Sequence, residues 1–260
     1  MAAHEIDYEI HGDDMQFVEI ELDPGETVLS EAGAMMYMTQ DVEMSTRMGG
    51  DSDGGVWGKV MGAGKRLMTG ESLFITTFTH GGKSGKAKVA FAAPYPGKIF
   101  PLNLAELGPM LCQKDSYLCS AMGIDVNMAF HKKLGAGLFG GEGFILQKLE
   151  GDGLAFVHAG GTIHIRDLAP GEHIKVDTGC IVAFQESVNY DIKYIGSVKS
   201  ALFSGEGLFY AVLTGPGRVA LQSLPFSRLA GRMYKAAPQG GGSQKGEGGM
   251  LGRFLQGDGL

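Results

Sequence analysis

An all-β body is what this sequence predicts: three tandem sandwich-like units packed into one body, with a short C-terminal amphipathic helix. Three observations predict it. A seven-residue signature recurs, as Leu138-Phe139-Gly140-Gly141-Glu142-Gly143-Phe144, again as Leu202-Phe203-Ser204-Gly205-Glu206-Gly207-Leu208, and more loosely as Leu67-Met68-Thr69-Gly70-Glu71-Ser72-Leu73. Such internal periods are the mark of repeat architectures. Short β-prone runs bounded by turn residues fill the intervals between signatures. Glycine is the third observation, since 43 of 260 residues is more than twice the usual share of roughly 7%. Among short strands, such an excess belongs to tight turns, bulges and strand ends.

The elements follow in order. Ile6, Tyr8 and Ile10, then Phe17 and Val18-Glu19-Ile20-Glu21-Leu22, alternate as strands half buried on a sheet face do. Asp23-Pro24-Gly25-Glu26 and Ala169-Pro170-Gly171-Glu172 place proline where its fixed φ suits a turn and glycine where φ can turn positive. A shift of 146 (170−24) superposes the stretches that follow these turns. A shift of 84 (115−31) superposes the first on 115–128, setting Cys119 in the place of Met35, while the 146 shift sets Cys180 in that of Ala34. Three units result, roughly 21–101, 102–165 and 166–224.

After each signature comes a strand-like run, Leu73 to Phe78, Phe144 to Leu146 and Leu208 to Leu213. A second follows each, Lys88 to Phe91, Gly153 to Val157 and Arg218 to Leu221. Unit one alone is expanded, by an insertion over 45–68 in which four glycines weaken a helical rhythm around Trp57 and Met61. Phe226, Leu229, Ala230, Met233, Tyr234 and Ala237 recur at helical steps with Arg228, Arg232 and Lys235 between them. That predicts an amphipathic helix over 226–237, lying across the sheet in preference to a membrane or a partner. Residues 1–238 are thus expected to form a single body. Residues 239–260 read as a flexible glycine-rich tail ending in an apolar patch with Leu251 and Phe254.

Composition narrows the function. A net charge of −7 argues against a nucleic-acid groove, which needs a basic face. Cys112, Cys119 and Cys180 form no CxxC pair and read as core thiols in a reducing compartment. The N-terminal residues lack the basic and apolar regions of a signal peptide, and no apolar run reaches the roughly 18 residues of a membrane span. A cytoplasmic protein is expected, with peripheral membrane contact as the further reading. Gly135-Ala136-Gly137-Leu138-Phe139-Gly140 matches GxGxxG, but a strand follows it where a dinucleotide site needs a helix. The histidines, His158 and His164 among them, lack metal-ligand spacing. No catalytic residue, cofactor or metal is expected.

The recurring Glu71, Glu142 and Glu206 carry the sharpest choice. A carboxylate after glycine can accept neighbouring backbone N–H groups and lock the turn. Alternatively the three converge on a pseudo-threefold axis and hold a cation. Glu71-Ser72-Leu73-Phe74, the Pro-Gly-Glu turns, Asp177-Thr178-Gly179 and Gly205-Glu206-Gly207-Leu208-Phe209 together resemble the altered-inheritance-of-mitochondria protein twenty-four family over residues 6–236. The resemblance implies a tandemly repeated fold like that of the tryptophan RNA-binding attenuation protein, and assembly into oligomers. Eukaryotic relatives are associated with the mitochondrial inner membrane. The family supplies no catalytic residues to carry over.

A non-enzymatic binding or scaffold protein is therefore the expected function, with protein partners or self-association. Trp57, Met61, Leu251 and Phe254 are its candidate membrane or partner contacts, because they are apolar and lie outside the units. The alternative is an enzyme or a small-ligand or metal-binding protein with a pocket between units, beside His158 or a signature glutamate.

Overall fold

The structure, a computed structural model, describes residues 2–31, 33–48, 74–132, 144–194 and 209–237. A strand β1 (Asp7–His11) precedes three runs of six. The first run is β2 (Phe17–Leu22), β3 (Thr27–Glu31), β4 (Met35–Met38), β5 (Val42–Met48), β6 (Phe74–His80) and β7 (Ala87–Ala92). The second is β8 (Gly97–Asn103), β9 (Met110–Gln113), β10 (Tyr117–Ala121), β11 (Asp125–Lys132), β12 (Phe144–Glu150) and β13 (Leu154–Gly160). The third is β14 (Ile163–Leu168), β15 (His173–Asp177), β16 (Ile181–Gln185), β17 (Asn189–Tyr194), β18 (Phe209–Thr214) and β19 (Gly217–Gln222). Helix α1 (Leu104–Leu107) is a single turn after β8, absent from the sequence expectation, and α2 (Phe226–Ala236) follows β19.

The strands form four antiparallel sheets. Sheet I has the order β1-β2-β7-β4, sheet II β5-β6-β3-β10-β13-β8, sheet III β11-β12-β9-β16-β19-β14, and sheet IV β15-β18-β17. Each run contributes its first, third and sixth strands to one sheet and its second, fourth and fifth to the next. Sheets II and III are therefore each half from one run and half from the following one, sewn together by β3 on β10 and by β9 on β16.

A bulge recurs at the same place in each run. The third strand shifts register against the sixth between Met35 and Tyr37, between Tyr117 and Cys119, and between Ile181 and Ala183. These positions lie 82 (117−35) and 64 (181−117) apart, totalling the 146 read from the sequence. The expected shift of 84 is two residues too long. Tyr37, not Met35, is the counterpart of Cys119, because the bulge and the turn before it hide the true spacing. The first strands of the runs begin at Phe17, Gly97 and Ile163, so the unit boundaries expected at 21, 102 and 166 fall inside β2, β8 and β14.

Three apolar cores lie between the four sheets. Val18, Ile20 and Phe91 of sheet I meet Val28, Phe78 and Phe156 of sheet II. Leu29, Tyr117 and Val157 of sheet II meet Cys112, Leu149 and Val182 of sheet III. Leu146, Phe184 and Val219 of sheet III meet Val176, Ile192 and Leu213 of sheet IV. Sheets II and III are consequently covered on both faces, and β10 and β13 are buried almost continuously. β2, in the outer sheet I, alternates instead. This contrast is what two-sided against one-sided burial requires. Cys112 and Cys119 are fully buried and Cys180 half buried, all as free thiols, and burial pushes the first two thiols up.

Helix α2 departs from expectation. Its first turn is anchored, with the Phe226 ring 5.3 Å from that of Tyr95 and Arg228 Nη2 3.1 Å from Asp177 Oδ2. Beyond that turn Leu229 and Ala230 are half buried, while Met233 is 62% and Tyr234 72% exposed. The sheet it follows is already covered on both faces and offers it no apolar surface. Among the described residues no helix is long and apolar enough to cross a membrane.

Candidate functional site: two open edges and an adjoining cleft

The residues singled out in the sequence, Glu71, Glu142, Glu206, Trp57, Met61, Leu251 and Phe254, lie outside the described residues. The strands that follow the three glutamates, β6, β12 and β18, stand in three successive sheets, II, III and IV. Among the described residues no His, Cys, Asp and Glu cluster could hold a metal ion.

The described surface offers a different feature. The third strand of a run is central and buried in sheets II and III, where β10 and β16 are clasped by β3 and β9. Its counterpart β4 ends sheet I, with β7 on one side and, among the described residues, no strand on the other. All four of its residues are exposed, Met36 to 54%. Met44, at 52%, adds a further exposed thioether. On its outer face the Tyr37 hydroxyl donates to Glu19, which also receives Lys88 Nζ.

At the far end of the stack the matching strand is also an edge among the described residues. β15 corresponds to β3 and β9 but ends sheet IV, where β18 is its described neighbour. It offers His173, Ile174 and Lys175 to the surface, while Val176 is buried. Its end is held in shape, since Asp177 accepts the Gly179 N–H at 2.9 Å and pairs with Arg228. An unpaired strand presents a row of free N–H and C=O groups, a ready template for another strand. Flexible, polarizable methionines suit a surface that must pack against a partner.

Beside β4 lies a cleft of about 400 Å³ between sheets I and II. Met35, Met36, Pro94 and Leu118 give it apolar walls, and Glu31, Asp115 and His158 give it polar ones. His158 is 1% exposed, and among the described residues neither ring nitrogen makes a well-formed hydrogen bond, although the Tyr95 main chain lies within reach. Burial lowers its pKa to about 4, opposed in part by the nearby Tyr95 main chain, so the ring is neutral at pH 7. The Tyr95 ring stands edge-on to it at 4.4 Å, and burial raises the Tyr95 phenol to about 12. Ser116, in the turn that packs on β13, leaves its buried Oγ without a partner as well.

The register explains why His158 is stranded. Tyr117 pairs with Val157 and Ile181 with Leu221, so the residues that follow, His158 and Gln222, are counterparts. Gln222 is fully satisfied: its Nε2 donates to Gly179 O at 2.8 Å and its Oε1 accepts the Gly160 N–H at 2.7 Å. One run earlier the residue matching Gly160 is Pro94, which has no N–H to give. Histidine spacing in the sequence could not flag this site. Only the strand register that aligns 158 with 222 could.

Sequence and fold comparisons agree with this architecture. The profile of the family described as Mitochondrial biogenesis AIM24 matches residues 8–224. An uncharacterized protein of Streptococcus pyogenes serotype M6 is 31% identical over 228 residues, covering 86% of this chain and 88% of that protein. The X-ray crystal structure of another Streptococcus pyogenes protein superposes with a TM-score of 0.71 at 26% identity, over 90% of this chain and all of that one.

Proposed function

The chain belongs to the Mitochondrial biogenesis AIM24 family, and on that premise we propose that it is a non-enzymatic scaffold which assembles with copies of itself, strand edge to strand edge. We infer further that its three runs are copies of one six-strand module, as the recurring pairing order and bulge suggest. One observation carries the assembly reading: β4 and β15 are the two halves of a seam that the chain makes twice internally and that stays open at both ends among the described residues.

The internal seams fix the register of the external one. Ser30 faces Cys119, and Cys112 faces Ala183. The counterpart of Ser30 and Cys112 on β15 is Val176, and that of Cys119 and Ala183 on β4 is Tyr37. Val176 of one copy therefore faces Tyr37 of the next, and Lys175 faces Met38. The contact uses different surfaces on its two sides, so it closes into a ring when the rotation per copy divides the circle and runs on as a filament otherwise. Main-chain hydrogen bonds supply the affinity, as in other strand additions to a sheet edge.

Light scattering during size exclusion tests this. The expected mass is a multiple of 27.5 kDa, and Lys175→Pro, which removes an edge N–H and fixes φ, returns it to one copy. Oxidation of a protein carrying both Lys175→Cys and Met38→Cys is expected to link copies, whereas Lys175→Cys with Glu9→Cys is not. A monomer at all concentrations, or linking indifferent to position, would refute the proposal.

A further inference from the structure

We propose that the cleft between sheets I and II binds a small amphipathic organic amine. This inference is independent of the edge pairing and rests on the orphaned groups of the cleft. A buried imidazole whose nitrogens make no well-formed hydrogen bond is a group that a folded protein normally satisfies. The same position in the next run shows that this fold can satisfy such a residue fully, through Gln222. His158 keeps its vacancy in the one place where a cleft opens on it.

The lining selects the ligand. Among the described residues its charged lining is Glu31 and Asp115, the latter exposed, with no lysine or arginine. Gln147, itself buried and with its Oε1 unpartnered, donates its amide to Glu31 at 3.3 Å and so helps hold that carboxylate at the wall. An anion would meet repulsion here, whereas an ammonium gains a charge-assisted contact to a carboxylate. Neutral His158 supplies one N–H and one lone pair, able to receive or give a hydrogen bond to the ligand's polar end. Met35, Met36 and Pro94 cover a hydrocarbon or aromatic body. The volume, about 400 Å³, falls in the lower part of the range for small-molecule sites, roughly 300–1,000 Å³.

Isothermal titration calorimetry with three phenylalkyl probes that differ in their polar end tests the inference on the full chain. Phenethylamine is expected to bind with a Kd of about 1 mM, ordinary for a fragment of its size. Phenethyl alcohol is expected to bind at least about tenfold more weakly, and 3-phenylpropionate not at all, because neither offers the positive charge that the carboxylates select. His158→Phe keeps the volume but removes the polar partner, and Asp115→Asn removes an exposed charge without touching the core. Each is expected to weaken phenethylamine about tenfold or more. The monomeric Lys175→Pro variant is expected to bind as the parent does, so failure of the assembly proposal and failure of this one are separable. Absence of saturable heat up to about twenty times that Kd, equal binding of amine and alcohol, or indifference to both cleft substitutions would each overturn it.

Discussion

Replacing Gln222 by leucine exposes how the second and third runs are joined. The side chain is 6% exposed and answers two main-chain groups at once, the N–H of Gly160 on β13 and the carbonyl of Gly179 in the turn before β16. Leucine fills nearly the same space and leaves both groups buried and unpaired. Each orphan costs roughly 1–3 kcal/mol, while the added apolar contact returns about 1 kcal/mol. The net loss is therefore about 3 kcal/mol. Guanidinium unfolding at pH 7, followed by circular dichroism, measures it. With a slope on the order of 5 kcal/mol/M for a body this large, the midpoint falls by about 0.6 M. Gln222→Glu adds a second reading. Its carboxyl, forced up by burial against the Gly179 carbonyl, bonds well only when protonated, so that variant is most stable in acid and weakens as pH rises through its folded pKa. A leucine variant whose midpoint moved by less than about 0.1 M would refute the view that this amide closes the junction.

Further outcomes follow from groups already described. His158 has a folded pKa of about 4 against 6.5 for the free ring, so the unfolded chain takes up the proton first. The stability linked to this residue is complete above pH 6.5 and is lost as pH falls toward 4, by at most about 3 kcal/mol. His158→Gln removes that titration, and the parent-minus-variant difference, measured in urea from pH 7 to 4.5, is expected to shrink accordingly. Gly160→Ala would set a Cβ 2.0 Å from the Leu224 carbonyl oxygen. The main chain must give way there, at a cost of about 1–3 kcal/mol in thermal or chemical unfolding.

Much of the architecture was legible because strand signals are local. The runs after each signature appear as β6, β12 and β18, and the alternation of Val18, Ile20 and Leu22 correctly marks one covered face. Burial of Cys112 and Cys119 followed from their place in apolar strands. Helix α2 was legible as a helix, since three- and four-residue spacing is intrinsic, but its setting was not. Whether Met233 and Tyr234 find a sheet to cover depends on what already covers that sheet.

The open edges were invisible for the same reason. Met35-Met36-Tyr37-Met38 reads as any apolar strand, and only the pairing order reveals that β10 and β16 are clasped while β4 is not. His158 entered the sequence reading only as one of two candidate neighbours of a pocket, because its spacing from other histidines is uninformative. What distinguishes it is a missing N–H at Pro94, sixty-four residues (158−94) away in the chain.

The shared make-up of sheets II and III has a further consequence. No run owns a whole interior sheet, so a cut in the turn between β13 and β14 would tear sheet III along β9 and β16. Each fragment would then carry a raw margin that the other fits. Two such pieces would behave as a complementing pair, rejoined by the β9–β16 suture, by the Gln222 amide on Gly160 and by the apolar cores they share.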